Sequence, residues 1–133
     1  MPSLDHFLAD HINYLLAGLL APAPFVGRRG KPAWEFWARS AAAIGLAVLL
    51  AEEGKRLTHS GFPSGHETFA LAAATSLACR DPRWLWPGVP LCGALGWALV
   101  SAHYHAPIEV AGALLLGPPI ALGCHRLKFQ AGR

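Results

Sequence analysis

An all-α bundle of about five membrane helices is the fold this sequence predicts, on three observations: its apolar content, the bunching of its charges and the sidedness of its basic residues. Hydrophobic residues make up 53% of the 133, and Asp, Glu, Lys and Arg together only 14%, against about a quarter in an ordinary soluble domain. Mean hydropathy is +0.35. So much apolar surface needs an outsized core or lipid as its solvent, and lipid is the simpler answer. The charges gather at Arg28-Arg29, Glu52 to Arg56, Arg80 to Arg83 and His125 to Arg133, the spacing that short loops between membrane segments produce. The periodic polar faces of a soluble helical bundle are largely missing. With no repeat and no long linker, residues 1–133 read as a single domain.

A membrane helix wants about 20 apolar residues. Trp84 to Ala102 meets this without a charged residue, and Trp84 and Trp86 mark one end as an interface. Trp34 to Ala51 follows, with Trp34, Trp37 and Arg39 at its start. Phe62 to Cys79 and Ile108 to Cys124 are shorter, each with one acidic residue, Glu67 and Glu109, near its beginning. His11 to Val26 ends at Pro22 and Pro24 and reads as a short span or an interfacial helix.

If all five cross, one side of the membrane receives Arg28, Arg29, Lys31, Arg39, Arg80, Arg83, Arg126, Lys128 and Arg133, and the other only Lys55 and Arg56. Nine against two is the imbalance of a cytoplasmic and a translocated side. The N-terminus, Glu52 to His66 and His103 to Glu109 then share the outer face, as expected of a protein of a bacterial inner (plasma) membrane with its site facing the periplasm or exterior. Asp5 and Asp10 near the start argue against a signal peptide, so insertion through the spans themselves is expected.

The sequence pI near 9.0 does not indicate nucleic acid, because the basic residues form no stripe interleaved with aromatics. Cys79, Cys92 and Cys124 match no metal spacing and read as small apolar residues.

Two segments carry chemistry. In Gly61-Phe62-Pro63-Ser64-Gly65-His66-Glu67, Ser64 stands as an N-cap, with Glu67 at capping-box spacing. A helix start with a glycine also offers free N–H groups and a favourable dipole to an anion, so phosphate can lie against Ser64 and Gly65 with His66 beside it. In His103-Tyr104-His105-Ala106-Pro107-Ile108-Glu109, Pro107 favours a helix start. Glu109, four residues after His105, then reaches back to the imidazole. A carboxylate on one ring nitrogen fixes the tautomer and leaves the other as nucleophile or base. Two histidines and an acid at membrane depth are costly unless they face a polar cavity, which makes a functional site the default reading.

These segments resemble the type 2 phosphatidic acid phosphatase (PAP2) superfamily, which includes membrane lipid phosphatases and soluble vanadium haloperoxidases. The family carries Lys-x6-Arg-Pro, Pro-Ser-Gly-His and Ser-Arg-x5-His-x3-Asp. Here Pro63-Ser64-Gly65-His66 is intact and His105-x3-Glu109 matches with glutamate for aspartate, a resemblance covering Gly54 to Gly112. It implies a helical PAP2/haloperoxidase-like core and a metal-independent phosphatase that needs no cofactor. It further implies His105 as the nucleophile forming a phosphohistidine, His66 as the acid protonating the leaving oxygen, and Glu109 as the group orienting His105. The expected substrate is a lipid phosphate or pyrophosphate, of the isoprenoid pyrophosphate or phosphatidic acid type, met among membrane lipids.

Two family arginines are missing. Six residues before His105 stands Leu99, and Lys55 followed by six residues lands on Phe62-Pro63. A lone Lys does not reproduce the bidentate grip of Arg on phosphate. Lys55, Arg56, His59 and His103, all assigned to the outer face, are therefore the candidate phosphate-binding groups beside Ser64 and Gly65. A catalytically impaired lipid-phosphate binder is the alternative. A metal site from His103, His105, Glu109 and His59 or His66 is a weaker one, lacking a matching ligand spacing.

Overall fold

The computed structural model describes residues 3–26 and 32–127; Arg28, Arg29, Lys31, Lys128 and Arg133 of the sidedness count lie outside them. All regular secondary structure among the described residues is helical, with short 3₁₀ turns. Helix α1 (Leu4–Leu20) starts earlier than the apolar run beginning at His11, carries Asp5 in its first turn, and gives way to a Pro22-Ala23-Pro24 turn. Helix α2 (Ala33–Thr58) has 26 residues, extended past the apolar stretch by Glu52 to Arg56. Its acidic start, Glu35, and basic end, Lys55 and Arg56, both complement the helix dipole.

Helix α3 (Gly65–Arg80) is capped by Ser64, and α4 (Leu85–Ser101) follows a 3₁₀ turn at Pro82–Trp84. The expected Ile108–Cys124 helix is interrupted: α5 (Pro107–Gly112) passes through a 3₁₀ turn, Ala113–Leu115, into α6 (Gly117–Arg126). Pro118 and Pro119 have no N–H to give the preceding turn, so the ladder cannot run through. The fifth rod is therefore bent where the 3₁₀ turn separates its two helices.

Contacts at the two ends fix the topology. At one end Ser64 N–H donates to the Glu109 carbonyl at 2.8 Å, and Asn13 Nδ2 donates to the His66 carbonyl at 3.3 Å. At the other, Trp37 Nε1 donates to the Leu20 carbonyl, Arg80 to that of Pro24, and Arg39 to that of Cys124. The rods therefore alternate in direction, with α3 in the middle. One face of α3 packs with α1 and α4 around Leu16, Ala70, Ala73, Leu95 and Leu99, and another meets α2 and α6 through Ala43, Ala47, Ala72 and Ala121. Small side chains let these backbones approach closely, as is usual for helices packing in lipid.

The stretches Ala33–Thr58, Pro82–Ser101 and Pro107–Arg126 are long and apolar enough to cross a membrane. Helices α1 and α3, at 17 and 16 residues, fall short of that length. Position explains α3: walled in by the other rods, it needs no lipid-facing stripe, and its alanines, Ser76 and Thr68 pack against protein instead. The exposed Trp34, Trp86, Trp97, Leu49 and Leu115 give the bundle an apolar exterior.

Arg39 ties the end opposite the motifs. It is 3% exposed, meets Glu35 at 2.7 Å, and donates through Nη1 to the carbonyls of Cys124 (2.7 Å), His125 and Leu127, closing the C-terminus of α6 with a cation. Arg39→Ala is expected to cost roughly 3–5 kcal/mol, the scale of a broken buried pair. A thermal melt of the purified protein in detergent reads this directly, and an unchanged Tm would refute it.

Candidate functional site

The site begins where α2 ends. His59 takes left-handed backbone (φ 50°) and reverses the chain, while Thr58 Oγ1 donates to the Gly54 carbonyl at 2.8 Å and Ser60 Oγ accepts from Phe62 N–H. This compact reversal delivers Pro63 and Ser64 to the start of α3. Ser64 is fully buried: its Oγ accepts from Glu67 N–H at 3.3 Å, and its carbonyl accepts from Thr68 N–H and Oγ1. The Ser64 hydroxyl therefore serves the cap. The first two helical N–H groups, those of Gly65 and His66, have no partner within the helix.

Glu52 and Lys55, paired at 2.7 Å, lie across that helix start. A Cβ on Gly65 would come within 2.9 Å of Glu52 Oε1 and 3.2 Å of Lys55 Nζ, so the missing side chain is what admits this pair to the mouth of the site. Lys55 thus brings a cation to the start of α3.

The second segment folds back from α4. His103 adopts left-handed backbone (φ 59°), and the N–H groups of Tyr104 and His105 both donate to the Leu99 carbonyl, at 3.0 and 3.2 Å. Helix α5 starts at Pro107, so Glu109 is its third residue and its carboxylate turns back over the start. Its Oε2 accepts from His105 Nδ1 at 2.9 Å and from Ala106 N–H at 3.0 Å. The Glu109 carbonyl takes the Ser64 N–H, which joins the two segments by their backbones. Gly61 lies against the Glu109 carboxylate: a Cβ there would fall 2.5–2.7 Å from its atoms.

With Nδ1 engaged by Glu109, the Nε2 of His105 is the free ring nitrogen. His66 faces that ring, with centroids 6.3 Å apart and planes tilted by 56°. His105, Lys55, Asp10 and Glu52 are the ionisable neighbours of His66. The Glu109 side chain is only 17% exposed and that of His105 12%, whereas His66 stands open to the outside. The arrangement is an imidazole held by a carboxylate, a second imidazole opposite, and free N–H groups with one lysine alongside.

Of the residues expected from the sequence, Lys55, Ser64, Gly65, His66, His105 and Glu109 come together. Arg56, 77% exposed at its side chain, pairs with Glu53 at 2.9 Å, and His59 and His103 are exposed residues at chain reversals. Among the described residues no group of three or more His, Cys, Asp and Glu is gathered to hold a metal ion. Leu99, at the position of a family arginine, is fully buried between α1, α3 and α4.

Reading the motifs alone missed Asp10, Asn13, Glu52 and Gly61. For the first two a signal existed: they lie three residues apart in α1, hence on one face. The expected capping box at Ser64 is half formed. Glu67 supplies its N–H, but its carboxylate turns away from the cap, whereas Glu109 does reach back to the Ala106 N–H.

The described residues thus form a helical bundle with three membrane-length stretches, and at one end of it a carboxylate-held histidine lies beside the start of a capped helix. The chain belongs to the PAP2 superfamily, whose family model matches residues 12–133 and so takes in the bundle except the start of α1. Members of the superfamily are generally phosphatases, and membership suggests phosphatase-type activity. No curated protein and no solved structure matches the chain.

Proposed function

We propose that the protein is an integral-membrane phosphatase that removes phosphate from a lipid phosphate or pyrophosphate through a phosphohistidine. One observation carries this reading: His105 Nδ1 is held by Glu109 while His66 stands across from the same ring. His105 Nε2 attacks phosphorus as the P–O bond to the lipid breaks, and His66 gives its proton to the departing oxygen. Water then attacks phosphorus, passes a proton to His66, and releases inorganic phosphate and free His105. Glu109 keeps the His105 tautomer and offsets the charge gained on phosphorylation. Lys55 and the N–H groups of Gly65 and His66 receive the nonbridging oxygens, whose charge must be compensated during transfer. Position at the end of membrane-length helices supports chemistry at headgroup level, and the basic-residue count supports the outer face.

The second reading, a lipid-phosphate binder with little or no turnover, draws on Leu99 and on the pairing of Lys55 with Glu52 and of Arg56 with Glu53. These leave the pocket without a guanidinium at either family position. Purified protein supplied with phosphatidic acid and with an isoprenoid pyrophosphate separates the two. The phosphatase releases phosphate, is inhibited by vanadate and resists chelators; binding of the lipids without release favours the second reading. Loss of activity on chelation would point to a metal instead.

A further inference from the structure

Glu67 is the one acidic residue of α3, and the mechanism leaves it unused. It is 4% exposed, and its Oε2 has no hydrogen-bond partner. Its carboxylate lines an apolar groove of about 750 Å³ between α3, α4 and the bent α5–α6 rod. The groove runs from Val100 and Pro107, next to the candidate site, to Leu85 and Gly88 at the opposite end, a path of roughly 22 Å at 1.5 Å per helical residue. Gly96 of α4 makes room for the acid: a Cβ there would stand 3.4 Å from Glu67 Oε2 and 3.0 Å from Val110 Cγ1. A buried polar atom of this kind is stable only with a partner. The protein supplies none to Oε2, and Glu67 is the acidic residue in the lining of this groove.

We propose that Glu67 receives a hydroxyl group of a single-chain amphiphile whose hydrocarbon lies in the groove and whose phosphate reaches His66 and His105. This rests on the phosphatase reading and narrows its substrate class to hydroxyl-bearing lipid phosphates, such as a monoacyl glycerol phosphate, over isoprenoid phosphates, which lack the hydroxyl. Satisfiability selects the hydroxyl. An ammonium would bring three donors to one acceptor, and an amide would bring a carbonyl with no donor to meet it in an apolar wall. A hydroxyl donates to a carboxylate, or exchanges both bonds with a carboxylic acid, so it suits either protonation state of Glu67. Continuity of the groove links the two groups, because Glu67 lines it together with Val100 and Pro107 at the end next to the candidate site.

The test compares a monoacyl glycerol phosphate with its 2-deoxy analogue of equal chain length, using purified protein in nanodiscs. The wild-type protein is expected to favour the hydroxylated lipid in kcat/KM by roughly 10- to 100-fold, the range of one buried hydrogen bond to a charged or neutral acceptor. Glu67→Met, similar in size but without the acceptor, should bring the ratio close to one, while Glu67→Gln keeps most of it. Equal use of both lipids by the wild type, or the same ratio in all three proteins, overturns the proposal. A parallel measurement, displacement of a fluorescent lipid by the same pair, needs no turnover. Preference in displacement that depends on Glu67, with no phosphate released from any lipid, sinks the phosphatase reading and leaves the hydroxyl site standing. Turnover with no preference sinks the hydroxyl site alone.

Discussion

His105→Ala is expected to lower phosphate release by about 10⁴-fold or more, the scale on which a covalent nucleophile is lost. Removing the ring takes away the only nitrogen that combines a fixed tautomer with a free lone pair facing His66, and no neighbour is placed to stand in. His66 lacks a carboxylate partner like Glu109, and Ser64 is buried with its oxygen engaged by the helix start. The fold should tolerate the change, because the His105 backbone bond to Leu99 does not depend on the side chain. The measurement is phosphate release from a lipid phosphate, alongside acid-labile labelling of the protein when turnover is quenched. Release at the wild-type rate from a folded variant would falsify the nucleophile assignment.

Glu109→Gln is expected to cost roughly 10²- to 10⁴-fold in kcat, as when a triad histidine loses its orienting carboxylate. The Glu109 carboxylate accepts from both His105 Nδ1 and Ala106 N–H with one oxygen. An amide can present its own N–H to the imidazole, which would favour the tautomer with the lone pair on Nδ1 and the proton on the attacking nitrogen. Gly61→Ala approaches the same defect from outside. A Cβ there falls within 2.7 Å of the Glu109 carboxylate carbon and so displaces the carboxylate, and misplacement by about 1 Å is worth on the order of 10²-fold. The two variants should depress kcat together and leave KM largely alone. A raised KM with intact kcat in both would mean that Glu109 binds substrate and does not position the nucleophile.

Much of the architecture was legible in the sequence because charge is expensive in lipid: interruptions in the apolar runs placed the loops, and the Pro-Ser-Gly-His and His-x3-Glu elements placed the chemistry. What periodicity could not show were relations set by packing. The shortness of α3 follows from its central position, and its alanines look no different from those of a lipid-facing helix until α2, α4 and α6 surround them. The break at Gly117 was readable from Pro118 and Pro119 but was hidden by the hydropathy of the whole stretch. Arg56, His59 and His103 share the outer face assigned to the motifs, and that made them candidates. In the structure Arg56 pairs with Glu53 within the same helix, and His59 and His103 take left-handed backbone at chain reversals. The duty of Glu67 was misread for a related reason: capping-box spacing fits its N–H, but only coordinates show which way a carboxylate turns.

The bond from the Ser64 amide to the Glu109 carbonyl is made by main-chain atoms at both partners. Its strength is therefore largely indifferent to which side chains stand at those two positions, proline at position 64 excepted, since proline has no amide hydrogen. The spacing between the two reacting segments is thus built into the chain path, and exchanges such as glutamate for aspartate can accumulate around the pocket without widening it.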